Sequence, residues 1–280
     1  MVNPIALVRD TVLGFIEDEA LTRGAAIAFY TTTSSGPLLF IVIAIAGVIY
    51  GQDAAKGAIL SQLGDTMGHD SASLLQNAIQ SAAKNTSGVF ALIGVGILVI
   101  TVSGVMSEMQ QALNVIWKAV PTKITVTGWL RTRAIGLSLV GAVGFLLIMS
   151  LVISTVLSVL SNYINEYLPY GYLILQTITY LVSFGLTVIL FGAIYKILPN
   201  RAIPWHDVLI GSVVTALLLA VGKYLIGLYL AHSTTASAYG AAGSFIIVLL
   251  WIYYSAQIFL FGAEFTKVYA DIRDKSAISM

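Results

Sequence analysis

The residues of this chain that could do chemistry lie almost entirely inside long apolar runs. The first run carries Thr31, Thr32, Thr33, Ser34, Ser35, Gly36 and Pro37 in succession. Pro37 has no backbone N–H and its ring crowds the preceding turn, which predicts a free carbonyl near Thr33 and a kink or break between Thr31 and Pro37. The exposed backbone and the Thr33 and Ser34 hydroxyls would line a polar cavity, as in discontinuous transporter helices. The competing reading is that the hydroxyls bond their own helix or let another helix pack close. In the stretch SGVMSEMQQALNVIW, Ser107, Gln111 and Asn114 stand at i, i+4 and i+7 and share a helix face, with Glu108 beside them. A carboxylate near membrane depth needs a partner or water, so Glu108 is a candidate. Lys223 falls 16 residues after Asp207 in a further apolar run. It is read either as a snorkelling anchor or as an interior ammonium turned toward Tyr and Thr acceptors. Glu264 closes the last run, with Lys267 within pairing distance along the helix.

Enzyme chemistry finds little support. His69, His206 and His232 lie in three separate connections, on opposite sides of the membrane, and cannot converge on one metal. No phosphate loop, nucleophile elbow or acidic cluster suited to two metals occurs. There is no cysteine, hence no disulfide or thiolate nucleophile, and the formal net charge is +1, which recruits no nucleic acid. No catalytic residue, metal site or cofactor is expected.

The elements that must position these residues follow from composition. Of the 280 residues, 58% are hydrophobic and 10% charged, against about a quarter charged in ordinary soluble domains. A helix crosses the hydrocarbon core with about 20 apolar residues. Six stretches qualify: Ala26 to Tyr50, Val89 to Met109, Ala134 to Leu160, Tyr172 to Tyr195, Val208 to Leu230 and Ala242 to Ala263. Placing the N-terminus inside puts 11 of the 14 Lys and Arg on the inner side, among them Lys118, Lys123, Arg201 and Lys275, and only Lys56 and Lys84 outside. Retention of basic residues in the cytoplasm therefore predicts an all-α, six-helix membrane protein with both termini inside.

Residues 1–25 are read as a cytoplasmic amphipathic segment, 26–265 as the transmembrane domain and 266–280 as a cytoplasmic tail. Ile5, Val8, Val12, Phe15 and Ile16 recur at helical spacing, which suits a helix along the membrane surface or one packed under the bundle. The segment lacks the apolar run of a cleaved signal peptide, so targeting is expected to rest on a retained span. The outer loop 51–87 carries two amphipathic patterns, around Leu63 and Leu75, read as surface helices or as a lid. Gly211, Thr215, Ala216, Ala220 and Gly227, and Gly240 to Ser244, permit close helix contact, while Trp129, Tyr195 and Trp205 are placed at interfaces. The halves of the chain show no alignable repeat.

The stretches AAIAFYTTTSSGPLLF, MQQALNVIW, LPNRAIPWHDVLIGSVVTALLLAVGKYLIGLYL and YGAAGSFIIVLLWIYYSAQIFLFGAEF, in that order, resemble the YihY/BrkB family over about Ala20 to Asp271. The resemblance implies a six-helix, multi-pass protein of the bacterial plasma (inner) membrane. It highlights Phe29, Tyr30, Pro37, Gln110, Asn114, Trp117, Pro199, Asn200, Lys223, Tyr239, Gly240, Trp251, Gly262, Ala263 and Glu264. Family members have carried a ribonuclease BN label, and others are linked to serum resistance and to lipid export. The residues oppose the nuclease label, because the chain lacks both a basic surface and metal or acid–base groups.

Three readings follow. The first is a transporter or exporter of a small solute or a lipid-like amphiphile, with cavity candidates Thr33, Ser34, Pro37, Glu108, Gln111, Asn114, Lys223 and Glu264. The second is a noncatalytic scaffold in envelope assembly, joined through small-residue helix faces. The third is a membrane-bound enzyme. A polar cavity at the midplane would favour the first and a solid core with an apolar outer groove the second.

Overall fold

The computed structural model describes residues 4–34, 103–119, 171–232 and 241–278 continuously, with position 57 and eight helical positions between 134 and 153. Among the described residues every regular element is a helix: α1 (Pro4–Glu17), α2 (20–34), α3 (103–116), α4 (Gly171–Ile197), α5 (Trp205–His232) and α6 (Ala241–Ile278). Three are long and apolar enough to cross a membrane, over Gln176–Ile197, Trp205–Ile226 and Ile246–Lys275. They coincide with the fourth, fifth and sixth stretches read from the sequence. The first is helical over 26–34, and the second runs past its expected end at Met109 to residue 116. The rest of both, and the outer loop apart from Gly57, lie outside the described residues.

α5 and α6 are antiparallel, and small residues fix their register. Gly211 lies opposite Thr266, Thr215 opposite Gly262, and Gly222 opposite Tyr254. A Cβ on Gly211 would overlap Thr266 Oγ1, and one on Gly262 would overlap Thr215 Oγ1 and stand 2.7 Å from the Tyr195 hydroxyl. Each Thr hydroxyl donates back to the carbonyl of the glycine four residues earlier, Thr215 to Gly211 (2.7 Å) and Thr266 to Gly262 (2.6 Å). The hydroxyls are thereby satisfied inside the packed surface, as burial requires. The close contact expected of Gly211 and Thr215 is present, and its counterpart is the end of α6 rather than its Gly240–Ser244 start.

α4 joins this pair through Tyr195, which is fully buried. Its hydroxyl donates to the Phe259 carbonyl (2.7 Å) and lies 3.0 Å from Thr215 Oγ1, while its ring stacks on Phe191 and Phe259. The Tyr195 ring thus fills the core near the end of α4, and its polar tip has two protein partners. α3 contributes Val105, Met106, Ala112, Leu113, Ile116 and Trp117 from one face. It ends where Lys118 turns left-handed (φ 46), with Ala119 N donating to the Asn114 carbonyl and Lys118 N to that of Val115.

α1 packs across the end of α6 and turns into α2 through Asp18 and Glu19, the latter also left-handed (φ 53). Its two sides divide the expected alternatives between them. Thr11 is buried and Phe15 meets Phe261 edge-on, whereas Ile5, Val8, Val12 and Ile16 are exposed. The helix is therefore held by the bundle on one side and offers an apolar stripe on the other.

Candidate functional site

Polar side chains gather where α1, the end of α3, the α4–α5 connection and the end of α6 meet. Pro199 and Pro204 keep the connection out of helix, and α3 holds it. Gln110 Nε2 donates to the Leu198 carbonyl (3.0 Å), Asn200 N donates to Asn114 Oδ1 (2.8 Å), and Arg201 Nη1 donates to the Trp117 carbonyl (3.1 Å) with its guanidinium over the Trp117 ring. Lys196 reaches back to the Ile203 carbonyl and lies over Trp205. Four residues highlighted by the family resemblance, Gln110, Asn114, Trp117 and Asn200, thus form one assembly that holds the α4–α5 connection on the end of α3.

Two charged groups lie deeper. Asp207, in the first turn of α5 where the helix dipole favours an anion, is wholly buried and receives Arg273 from α6 at 2.5 Å. Glu264, also wholly buried, receives Lys267 Nζ at 3.0 Å, and the same ammonium stands 4.0 Å from Asp18. Gly14 makes room for Glu264, since a Cβ there would overlap Oε1. Asp18, Asp207 and Arg273 were not singled out as site residues from the sequence. Asp18 sits in an acidic run that reads as solvated surface, and the register that pairs α5 with α6 becomes visible only with the fold.

The other candidates stand apart. Thr33 is exposed and donates to the Phe29 carbonyl, and Ser34 is buried and donates to that of Thr31. The helix is regular through residue 34, so the described part of the expected break is intact and its hydroxyls serve their own helix. Pro37 lies outside the described residues. Glu108 is half-buried on α3, and Gln111 is exposed and donates to Ser107. Lys223 is exposed rather than turned into the protein, a correction with a simple cause. At 1.5 Å per residue it lies about 24 Å along α5 from Asp207, close to the far boundary of a core about 30 Å thick. A four-carbon stem spans the remainder. Among the described residues no hydrogen bond or ion pair joins any two of the eight candidates.

The described residues hold no group of three or more His, Asp or Glu arranged for a metal.

Helices of this length and apolar content, with charges sorted to one end, define a helical membrane protein. The family model for virulence factor BrkB matches residues 11–278, and the chain belongs to that family, which the sequence reading named YihY/BrkB. The chain is similar to the UPF0761 membrane protein of Rhodospirillum centenum, at 27% identity over 97% of this chain and 59% of the relative. It is similar also to that of Acinetobacter baylyi, at 26% over 89% and 58%, and to that of Idiomarina loihiensis, at 30% over 75% and 70%. The chain therefore spans about three-fifths of the first two relatives. No solved structure matches.

Proposed function

We propose that the protein is a six-helix, multi-pass transporter or exporter of the bacterial plasma membrane, with both termini in the cytoplasm, acting on a small solute or a lipid-like amphiphile. The observation that carries this reading is the uneven closure of the described bundle. Ser212 and Ala216 are buried on α5, whereas Lys223, which follows them at helical spacing on the same line, is exposed. On α4, residues 176–191 include no buried position, while Ile194, Tyr195 and Leu198 are buried. Among the described residues, packing that is tight around Gln110, Asn114, Asn200 and Arg201 and looser toward Lys223 supports a reading as one state of an alternating-access protein. The basic residues Lys196, Arg201, Lys267 and Arg273 all lie at the shut end, which supports assigning it to the cytoplasm.

The test is flux in proteoliposomes, screened over small solutes and fluorescent phospholipids. Protein-dependent movement of one class supports transport and names the class. Retention of every probe at the level of protein-free vesicles, by protein that is folded, refutes it.

A further inference from the structure

We propose that the carboxyl groups of Asp18 and Glu264, backed by the ammonium of Lys267, form a binding site for one proton whose occupancy fixes helix α1 on helix α6. The inference stands independently of transport.

The Glu264 side chain is wholly buried and its Oε2 has no hydrogen-bond partner, and the same holds for Oδ2 of the largely buried Asp18. Both carboxyl groups share one ammonium, Lys267 Nζ, which lies 3.0 Å from Glu264 Oε1 and 4.0 Å from Asp18 Oδ2 and so sets them beside each other. Ionised carboxylates only accept, so neither can satisfy the other's unpartnered oxygen. A single proton makes one a donor and the other its acceptor, and both are satisfied at once.

Charge gives the same answer. Lys267 lies 3.0 Å from Glu264 Oε1 and 4.0 Å from Asp18 Oδ2. It neutralises one of the two carboxylates and leaves the other as a buried net negative charge, which is costly away from water. One bound proton removes it. Lys267 already occupies the place a metal cation would take, so the proton is the ligand that fits. The charged groups set around Glu264 are Lys267 and, on the same ammonium, Asp18. From α1 the residue against Glu264 is the uncharged Gly14, and Arg23 of α2 donates to the backbone carbonyl of Asp18. Glu17 and Glu19 are exposed, and the Asp207–Arg273 pair lies toward the far end of α6.

The site bridges separate elements. Asp18 belongs to the turn after α1, Glu264 and Lys267 to α6, and Gly14 of α1 rests on Glu264. Removing the proton sets two carboxylates against each other across that seam, so α1 loosens as pH rises.

The experiment uses the full chain in lipid nanodiscs, titrated with acid and base in sodium-free and sodium-containing buffer. Infrared difference spectra are expected to show one protonated-carboxyl stretch that disappears as pH rises, independent of sodium, and that is absent in both Glu264→Gln and Asp18→Asn. Lys267→Met should move the titration to higher pH. Hydrogen exchange of residues 4–17, corrected for intrinsic rates, should rise in the same pH interval in the wild type and show no such step in Glu264→Gln. Should Glu264→Gln not fold, Asp18→Asn at the turn carries both readouts. A stretch that persists in Asp18→Asn, a sodium-dependent titration, or α1 exchange without a pH step would overturn the proposal.

Discussion

Replacing Gly211 by alanine tests the α5–α6 register. The added Cβ would overlap Thr266 Oγ1 and fall 2.8 Å from Thr266 Cβ and 3.1 Å from its Cγ2. Ordinary carbon contacts are about 3.5–4.0 Å, so the helices must part by roughly 1 Å or Thr266 must turn and give up its bond to the Gly262 carbonyl. Overpacking of this kind costs about 1–3 kcal/mol. At about 2–4 °C per kcal/mol, the apparent Tm should fall by roughly 2–12 °C. Gly262→Ala should behave alike, because its Cβ would overlap Thr215 Oγ1 and crowd Tyr195. The two effects should not add, since one separation relieves both. Thr266→Ala, by removing Oγ1, should rescue part of the Gly211→Ala loss. Thermal unfolding in one detergent, followed by tryptophan emission, supplies the assay. Unchanged Tm in both glycine variants would refute the close register.

Asn114→Ala removes the acceptor for Asn200 N and should cost about 1 kcal/mol, read as a lower Tm and as faster proteolysis near Arg201. Arg273→Met should lower Tm more than Asp207→Asn, because it leaves a wholly buried carboxylate without its cation; equal losses would contradict the pairing. Lys118→Gly relieves a left-handed non-glycine residue and should raise stability by about 1 kcal/mol, whereas Lys118→Val should lower it. On topology, an impermeant maleimide applied to intact cells should label a cysteine at position 223 and spare one at position 201, and the reverse pattern would contradict the proposed orientation.

Three of the spans were legible because a run of apolar residues as long as the bilayer is thick leaves few alternatives, and the structure places α4, α5 and α6 where such runs occur. The role of Gly211 and Thr215 was legible as a class of contact but not in its partner, since register depends on a second helix. Polar residues were harder to read. Asn114 was picked as a cavity residue on depth and spacing, yet it anchors the connection at Asn200, because an amide that looks unpaired in a sequence finds backbone donors in a fold. Thr33 and Ser34 bond carbonyls of their own helix, which no spacing rule distinguishes from lining a cavity. The count of Lys223 from Asp207 reads as depth and leaves an interior ammonium open beside a snorkelling one, whereas along the folded helix the same count brings it near the opposite boundary, where it is exposed. The pairing of Glu264 with Lys267 follows from their spacing, and the share that Asp18 takes in the same ammonium required the turn after α1 to fold back on α6.

The account's central claim is tested most directly by flux through a protein that can be plugged at its open end. A Lys223→Cys variant, on this naturally cysteine-free chain, is reconstituted with its Lys223 end outward, loaded with the probe class that the wild type moves, and treated with a bulky impermeant maleimide. The account predicts flux before labelling and its loss after, with a cysteine at exposed Leu217 on the outer surface of α5 as a position where labelling leaves flux intact. Undiminished flux with position 223 fully labelled would contradict a path opening at that end.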